Sequence, residues 1–170
     1  MVIMKALFIG RFQPLHKGHL KVLEYASTQY DALLIGIGSS QYGHTLENPF
    51  TAQERKWMLK HALAELHITN FQIVCISDIH DPPRWVAHVC SLVPEFDVVL
   101  SNDEFTTDLF IEQGYVVNKT PIYKRDLYAG KEVRRRMVAD EPWKALVPKE
   151  VYDIIQKING VQRLKAIVQS

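Results

Sequence analysis

With 170 residues, 47% hydrophobic and 23% charged, the chain has the makeup of an ordinary globule with a sizeable core, and a single domain over residues 1–170 is expected. A formal net charge of +1 supplies no global field to recruit nucleic acid or an anionic membrane, so anion binding must come from local clusters. Cys75 and Cys90 fall in apolar stretches and read as small buried hydrophobes rather than a disulfide framework. No C-x-x-C, H-E-x-x-H or bilayer-length apolar run occurs, so neither a metal site nor a membrane span is expected. Met1 to Ile9 leads straight into a strand and reads as no secretory leader, which points to the cytoplasm.

Ala6 to Ile9 is a short apolar run of the kind that forms a strand buried on both faces. Gly10 stops it and lets the backbone approach something closely. Arg11, Phe12, Gln13 and Pro14 follow, then His16 and His19. Leu20, Leu23, Ala26 and Tyr30 recur at helical spacing, so the histidines sit where a helix begins. Free N–H groups and a partial positive charge at such an end favour an anion, and Gly18 is expected to let a ligand reach those amides. One stretch thus gathers an arginine, two imidazoles and a helix end, all suited to phosphate. The bare H-x-G-H spacing also fits a plain strand-to-helix turn.

Asp31 to Gly38 reads as a second buried strand, followed by a polar loop from Ser39 to His44. Gly36-Ile37-Gly38 is no dinucleotide fingerprint, since the third glycine and a following helix are missing. Thr51 and Glu54 form a capping box, and Met58, Leu59, Ala62, Leu63 and Leu66 give the helix after it an apolar face. That box accounts for Thr51 and Glu54 fully; Arg55 is left over. Phe71 to Ile76 is a third strand. The loop Ser77 to Pro83 enters a helix carrying Trp85, where early prolines are tolerated because their missing N–H would be unpaired anyway. Read by itself, Trp85 is a core or half-core tryptophan.

Phe96 to Leu100 is the fourth strand, and Asp103 can cap the next helix, which Gly114 closes. Asn102 stands just beyond the strand, where open parallel sheets bind ligands, and reads equally as an Asx turn. Tyr115 to Asn118 is a fifth strand. The cations Arg134, Arg135 and Arg136 form a solvated face, a nucleic-acid patch or a phosphate-binding helix start. Successive helical residues point about 100° apart, so three in a row make a poor continuous stripe. Trp143 to Val147 and Val151 to Ile158 are helical, Asn159-Gly160 closes the latter, and Val161 to Val168 is a last amphipathic piece. Strand–helix alternation argues for an α/β, doubly wound (Rossmann-like) parallel sheet of about five strands, with a core over 1–120 and a helical tail over 121–170 packed on it. Walker A and kinase signatures are absent. Nothing like a paired-carboxylate base or an activated Ser or Cys lies between the two cationic stretches.

Gly10-Arg11-Phe12-Gln13-Pro14-Leu15-His16-Lys17-Gly18-His19 resembles the first motif of the nucleotidyltransferase superfamily that shares H-x-G-H with class I aminoacyl-tRNA synthetases. Its Gly-Arg-Phe-Gln-Pro form is similar to the archaeal type of nicotinamide-nucleotide adenylyltransferase, as is Asn48-Pro49-Phe50-Thr51-Ala52-Gln53-Glu54-Arg55. Where that family often reads Ser-Gly-Thr-Glu-Val-Arg, this chain has Ala129-Gly130-Lys131-Glu132-Val133-Arg134, so two hydroxyls are missing. The resemblance implies transfer of AMP from ATP to nicotinamide mononucleotide, giving NAD and pyrophosphate, with Mg²⁺ on the triphosphate. It implies catalytic roles for Arg11, His16, His19 and Arg134. Gly10, Phe12, Gln13, Gly18, Gly130, Lys131 and Arg136 are expected at the ATP phosphates. Ser39, Asn48, Phe50, Arg55, Trp85 and Asn102 are expected at the nicotinamide nucleotide, with Trp85 against the pyridine ring. No nucleic-acid or membrane partner is implied, and the type is commonly a homo-oligomer, often a hexamer.

Overall fold

The computed structural model describes residues 2–170. Five strands, β1 (Lys5–Gly10), β2 (Ala32–Ile37), β3 (Phe71–Cys75), β4 (Val98–Leu100) and β5 (Val116–Asn118), pair in parallel in the order β3-β2-β1-β4-β5. Phe8 of β1 lies opposite Ile35 of β2 and Leu100 of β4, which fixes the register at the centre. The period-2 alternation of a strand then sends side chains to two faces, and both are covered. Ala6, Leu33, Ile35, Val98 and Leu100 join the core beneath α1 (Lys17–Gln29) and α2 (Ala52–Glu65). Leu7, Leu34 and Val99 face the opposite side, against Val86 and Val89 of α3 (Pro82–Leu92) and Phe110 of α4 (Glu104–Glu112).

The tail forms α5 (Gly130–Val138), a 3₁₀ turn (Lys144–Leu146), α6 (Lys149–Lys157) and α7 (Gly160–Gln169). Val133, Met137, Val151, Ile155 and Leu164 bring these helices into the same core as α1 and α2. The sheet is the expected doubly wound one. The chain passes from β1 outward to β3, then crosses to β4 on the other side of β1. The crevice at the carboxyl ends of β1 and β4 is therefore the topological switch point where such sheets bind ligands.

Two local expectations are corrected. Cys75 is exposed at the end of the edge strand β3, and Cys90 is half-buried on α3, its Sγ 3.1 Å from the Tyr115 hydroxyl. Gly160 does not close α6: Asn159 takes the left-handed conformation at φ 55°, and Gly160 opens α7. His16 is the N-cap of α1, where the sequence placed the helix start. Asp103 caps α4 as expected, its Oδ2 accepting from the Thr106 N–H at 2.8 Å.

Candidate active site

The first helix starts on an imidazole. Nδ1 of His16 accepts from the N–H groups of Gly18 (3.1 Å) and His19 (3.3 Å), while Nδ1 of His19 accepts from the His16 N–H at 3.3 Å. This is a capping box with histidine at both positions normally held by Ser or Thr and Glu. The two rings stack with centroids 3.6 Å apart, and Phe12 closes over His19 at 4.7 Å. An accepting Nδ1 places the proton of a neutral imidazole on Nε2, so both rings present an N–H donor of fixed tautomer. Burial pushes the His16 pKa down to about 4. Burial, and then the neighbouring His16, hold that of His19 well below its usual value. The pair is thus neutral near pH 7. The amides of Gly18 and His19, which the sequence offered to a ligand, are taken by the His16 ring. Gly18 is small for the same reason: a Cβ there would lie 2.9 Å from His16 Cε1 and 3.0 Å from Tyr128 Cβ.

The second phosphate-suited end is the start of α5. Its N-cap, Ala129, makes no side-chain bond to the first turn. Gly130 has no Cβ, which would meet the Arg134 Nη1 at 2.9 Å and the Gln13 carbonyl oxygen at 3.2 Å. Through that gap Arg134 Nη1 donates to the Gln13 carbonyl at 2.7 Å, tying α5 to the loop after β1. Burial and the nearby Arg11 lower the Arg134 pKa, as two adjacent guanidiniums without a full counter-charge must. Two cavities flank this helix start. One of about 400 Å³ is lined by His16, Gly18, His19, Asn102, Tyr123 and Gly130. The other, about 600 Å³, is lined by Arg11, Glu47, Lys131, Arg134 and Arg135 above apolar Val138 and Leu164. The histidines thus line one cavity and Arg11, Lys131 and Arg134 the other, with the start of α5 between them.

Several expected ligand contacts are instead framework. Arg55 is completely buried, and its five N–H donors all end on backbone carbonyls: those of Thr51, Arg11, Gly38, Ser39 and Tyr42. No donor remains for a nucleotide. Desolvation lowers its pKa to about 10, so it stays a cation near pH 7. Gln13 and Phe50 are also buried and clasp each other, the Gln13 amide donating to the Phe50 carbonyl at 2.8 Å and accepting from its N–H at 2.9 Å. Phe12 is buried beneath Gly10 and His19, so its side chain packs rather than binds phosphate. Asn102 lines the histidine cavity, but its amide gives both hydrogens to Thr120 and accepts from the Thr120 N–H. It is a clamp between strand ends, neither a free ligand group nor an Asx turn. Arg136 is held by Glu132 (2.9 Å) and the Pro142 carbonyl (2.8 Å), and Arg135 by Glu132 and Glu141, so of the three arginines only Arg134 is turned to the site without a carboxylate partner.

Trp85 is half-buried. It packs edge-on against Phe110, with centroids 5.6 Å apart, and lines a third cavity of about 260 Å³ with Asp78, Ile79, Pro82, Phe105 and Leu109. Ser39 reaches that rim indirectly, donating to Asp78 Oδ2 at 2.7 Å. Asn48 accepts from Arg11 Nη1 at a long 3.5 Å. Sequence reasoning passed over Thr120, Tyr123 and Tyr128 of the histidine cavity, Glu47 of the cationic one, and Arg163. Tyr123 and Tyr128 lie in a stretch between a strand and a helix, where lining residues are to be sought. For Arg163 the sequence carries no signal.

A parallel sheet with a histidine-capped helix at its switch point and a cationic helix start beside it defines a nucleotidyltransferase architecture. Residues 7–136 match the family model for the cytidylyltransferase-like proteins. Within that class the chain belongs to the nicotinamide-nucleotide adenylyltransferase family. It is 44% identical over 168 residues to the protein of that name from Thermococcus kodakarensis, covering 98% of this chain and 89% of the relative. It is 45% identical to the one from Methanolobus tindarius, covering 98% and 95%. A bifunctional NMN adenylyltransferase/ADP ribose pyrophosphatase from Francisella tularensis shares the fold with a TM-score of 0.80 at 22% identity, over 97% of this chain and 53% of that one. The same Francisella protein complexed with AMP and a manganese ion aligns with a TM-score of 0.76 at 22% identity, over 97% of this chain and 52% of that one.

Proposed function

We propose that this chain joins nicotinamide mononucleotide to the AMP part of ATP. The mononucleotide's phosphate oxygen attacks the α-phosphorus in line; a new P–O bond forms and the bond to the β-phosphate bridging oxygen breaks, releasing pyrophosphate. A phosphate monoester has its second pKa at about 6, so the nucleophile is already ionised near pH 7 and no general base is required. The chemistry reduces to alignment and to neutralising charge as it builds on the phosphoryl oxygens. His16 and His19, neutral near pH 7 with the proton on Nε2, serve as donors to those oxygens. Arg11, Lys131 and Arg134 hold the polyphosphate, with the Lys131 ammonium and the uncapped first turn of α5 standing in for the missing hydroxyls. Trp85 stacks on the pyridinium ring, an attraction worth about 0.5–2 kcal/mol.

ATP enters as its Mg²⁺ complex, the ion held chiefly by phosphate oxygens and water. Among the described residues no cluster of three or more His, Cys, Asp and Glu is placed to hold a metal. The single observation that carries this reading is the pair of fixed-tautomer histidines lining a cavity on one side of the start of α5, with Arg11 and Arg134 lining the one on the other. Pyrophosphate release from ATP is the test, with nicotinamide mononucleotide present and absent, and with phosphopantetheine or flavin mononucleotide offered in its place. Release only with the pyridine nucleotide supports the assignment. Release with another acceptor, or steeply salt-dependent oligonucleotide binding with no release, overturns it.

A further inference from the structure

The arginines at the phosphates are not positioned by their own elements alone. Asn48 to Thr51 form a short segment that holds both. Asn48 meets Arg11, and Phe50 clasps the side chain of Gln13, whose carbonyl fixes Arg134. This segment is braced from the far end of the chain by α7. Arg163 forms a two-pronged ion pair with Glu54, at 2.7 and 2.8 Å, and also donates to the Pro49 carbonyl at 3.0 Å. Each side chain of the pair is 17% exposed. Glu54 in turn accepts from the Thr51 N–H at 2.9 Å, so the capping box is only half of its work, and Arg163 lowers its pKa. A second contact is independent of charge. Gly160, at the start of α7, lies against the Phe50 ring, where a Cβ would come within 2.9 Å of Cε1.

We propose that Arg163 is a positioning residue for adenylyl transfer, acting through Pro49, Phe50 and Gln13 to set the Arg134 guanidinium. A forked guanidinium suits this place because it satisfies a carboxylate and a carbonyl at once with little freedom left. Lysine has the charge without the fork. Loss of the brace lets the segment shift, and displacements of about 1 Å at a reacting phosphate cost up to about a hundredfold. The inference rests on the reading of Arg134 as a phosphate-holding group.

The test is a cycle of R163A, R134A and the double variant, with R163K and E54Q alongside, read as kcat and as KM for each substrate. Thermal melts and far-UV circular dichroism confirm folding. The expected result is a roughly tenfold or greater fall in kcat/KM for ATP in R163A, with the KM for nicotinamide mononucleotide nearly unchanged and R163K partly restored. In the R134A background the R163A effect should largely vanish, because both changes remove the same alignment. If R163A fails to fold, R163K is carried through the same cycle, and its fall in kcat/KM for ATP must likewise vanish with R134A. Full activity in a folded R163A, or losses that multiply independently with R134A, overturns the proposal. An R134A enzyme of normal activity overturns the underlying reading instead, so the two failures are distinguishable.

Discussion

His16 does two jobs that substitution can separate. Its Nδ1 caps α1 by accepting from two amides, and its Nε2–H is the donor assigned to the phosphates. Alanine removes both. The two orphaned amides at the helix start should cost about 1–2 kcal/mol, the range for losing an N-cap, which in a chain of this length lowers Tm by about 2–8 °C. Asparagine puts an acceptor oxygen close to where Nδ1 stood but has no atom at the Nε2 position. His16→Asn should therefore keep Tm close to wild type. Both variants should lose about 10²–10³ in kcat, the usual size for one transition-state donor. Differential scanning calorimetry gives the first quantity, and pyrophosphate release at saturating substrates the second. Equal destabilisation of the two variants would refute the capping role, and wild-type kcat in either would refute the donor role.

The same cap should respond to acid. Unfolded His16 titrates near its ordinary 6.5 and the folded one at about 4, so the unfolded chain binds the proton first. The stabilisation is complete above about 6.5 and falls as pH drops toward about 4, by up to about 3 kcal/mol; urea midpoints across that window, with a shallower fall in His16→Asn, where only the His19 share remains, check it. Gly130→Ala should raise the KM for ATP or lower kcat about tenfold through the clash with Arg134, while Tm holds or rises, since alanine is the better helix residue; steady-state kinetics beside a melt tests the pairing. Arg55→Met should lower the urea-unfolding free energy by more than about 3 kcal/mol, because it strands the Arg11, Gly38 and Tyr42 carbonyls around a buried site while those of Thr51 and Ser39 keep a backbone N–H, and a smaller loss would mean that water reaches them.

The sequence by itself determined the strand–helix alternation, and with it the parallel sheet, because apolar runs of period 2 and stripes of period 3.6 are local properties of the chain. It also singled out the two stretches that meet at the switch point, from Gly10 to His19 and from Gly130 to Arg134, since glycine, histidine and arginine beside a helix start carry their meaning within a few residues. Only the tertiary structure decided which of those side chains remain available. Arg55, Gln13 and Asn102 look like ligand groups in a motif, yet their hydrogen-bonding capacity is taken by carbonyls and amides 13 or more residues away, apart from the Arg55 bond to Thr51. Arg136 and Arg134 are alike in sequence; helical rotation turns one to Glu132 and the other to Gln13. Arg163 is the converse, an unremarked residue in the last helix whose partner Glu54 lies 109 positions earlier. A hydrogen bond is made in space, and separation along the chain conceals it.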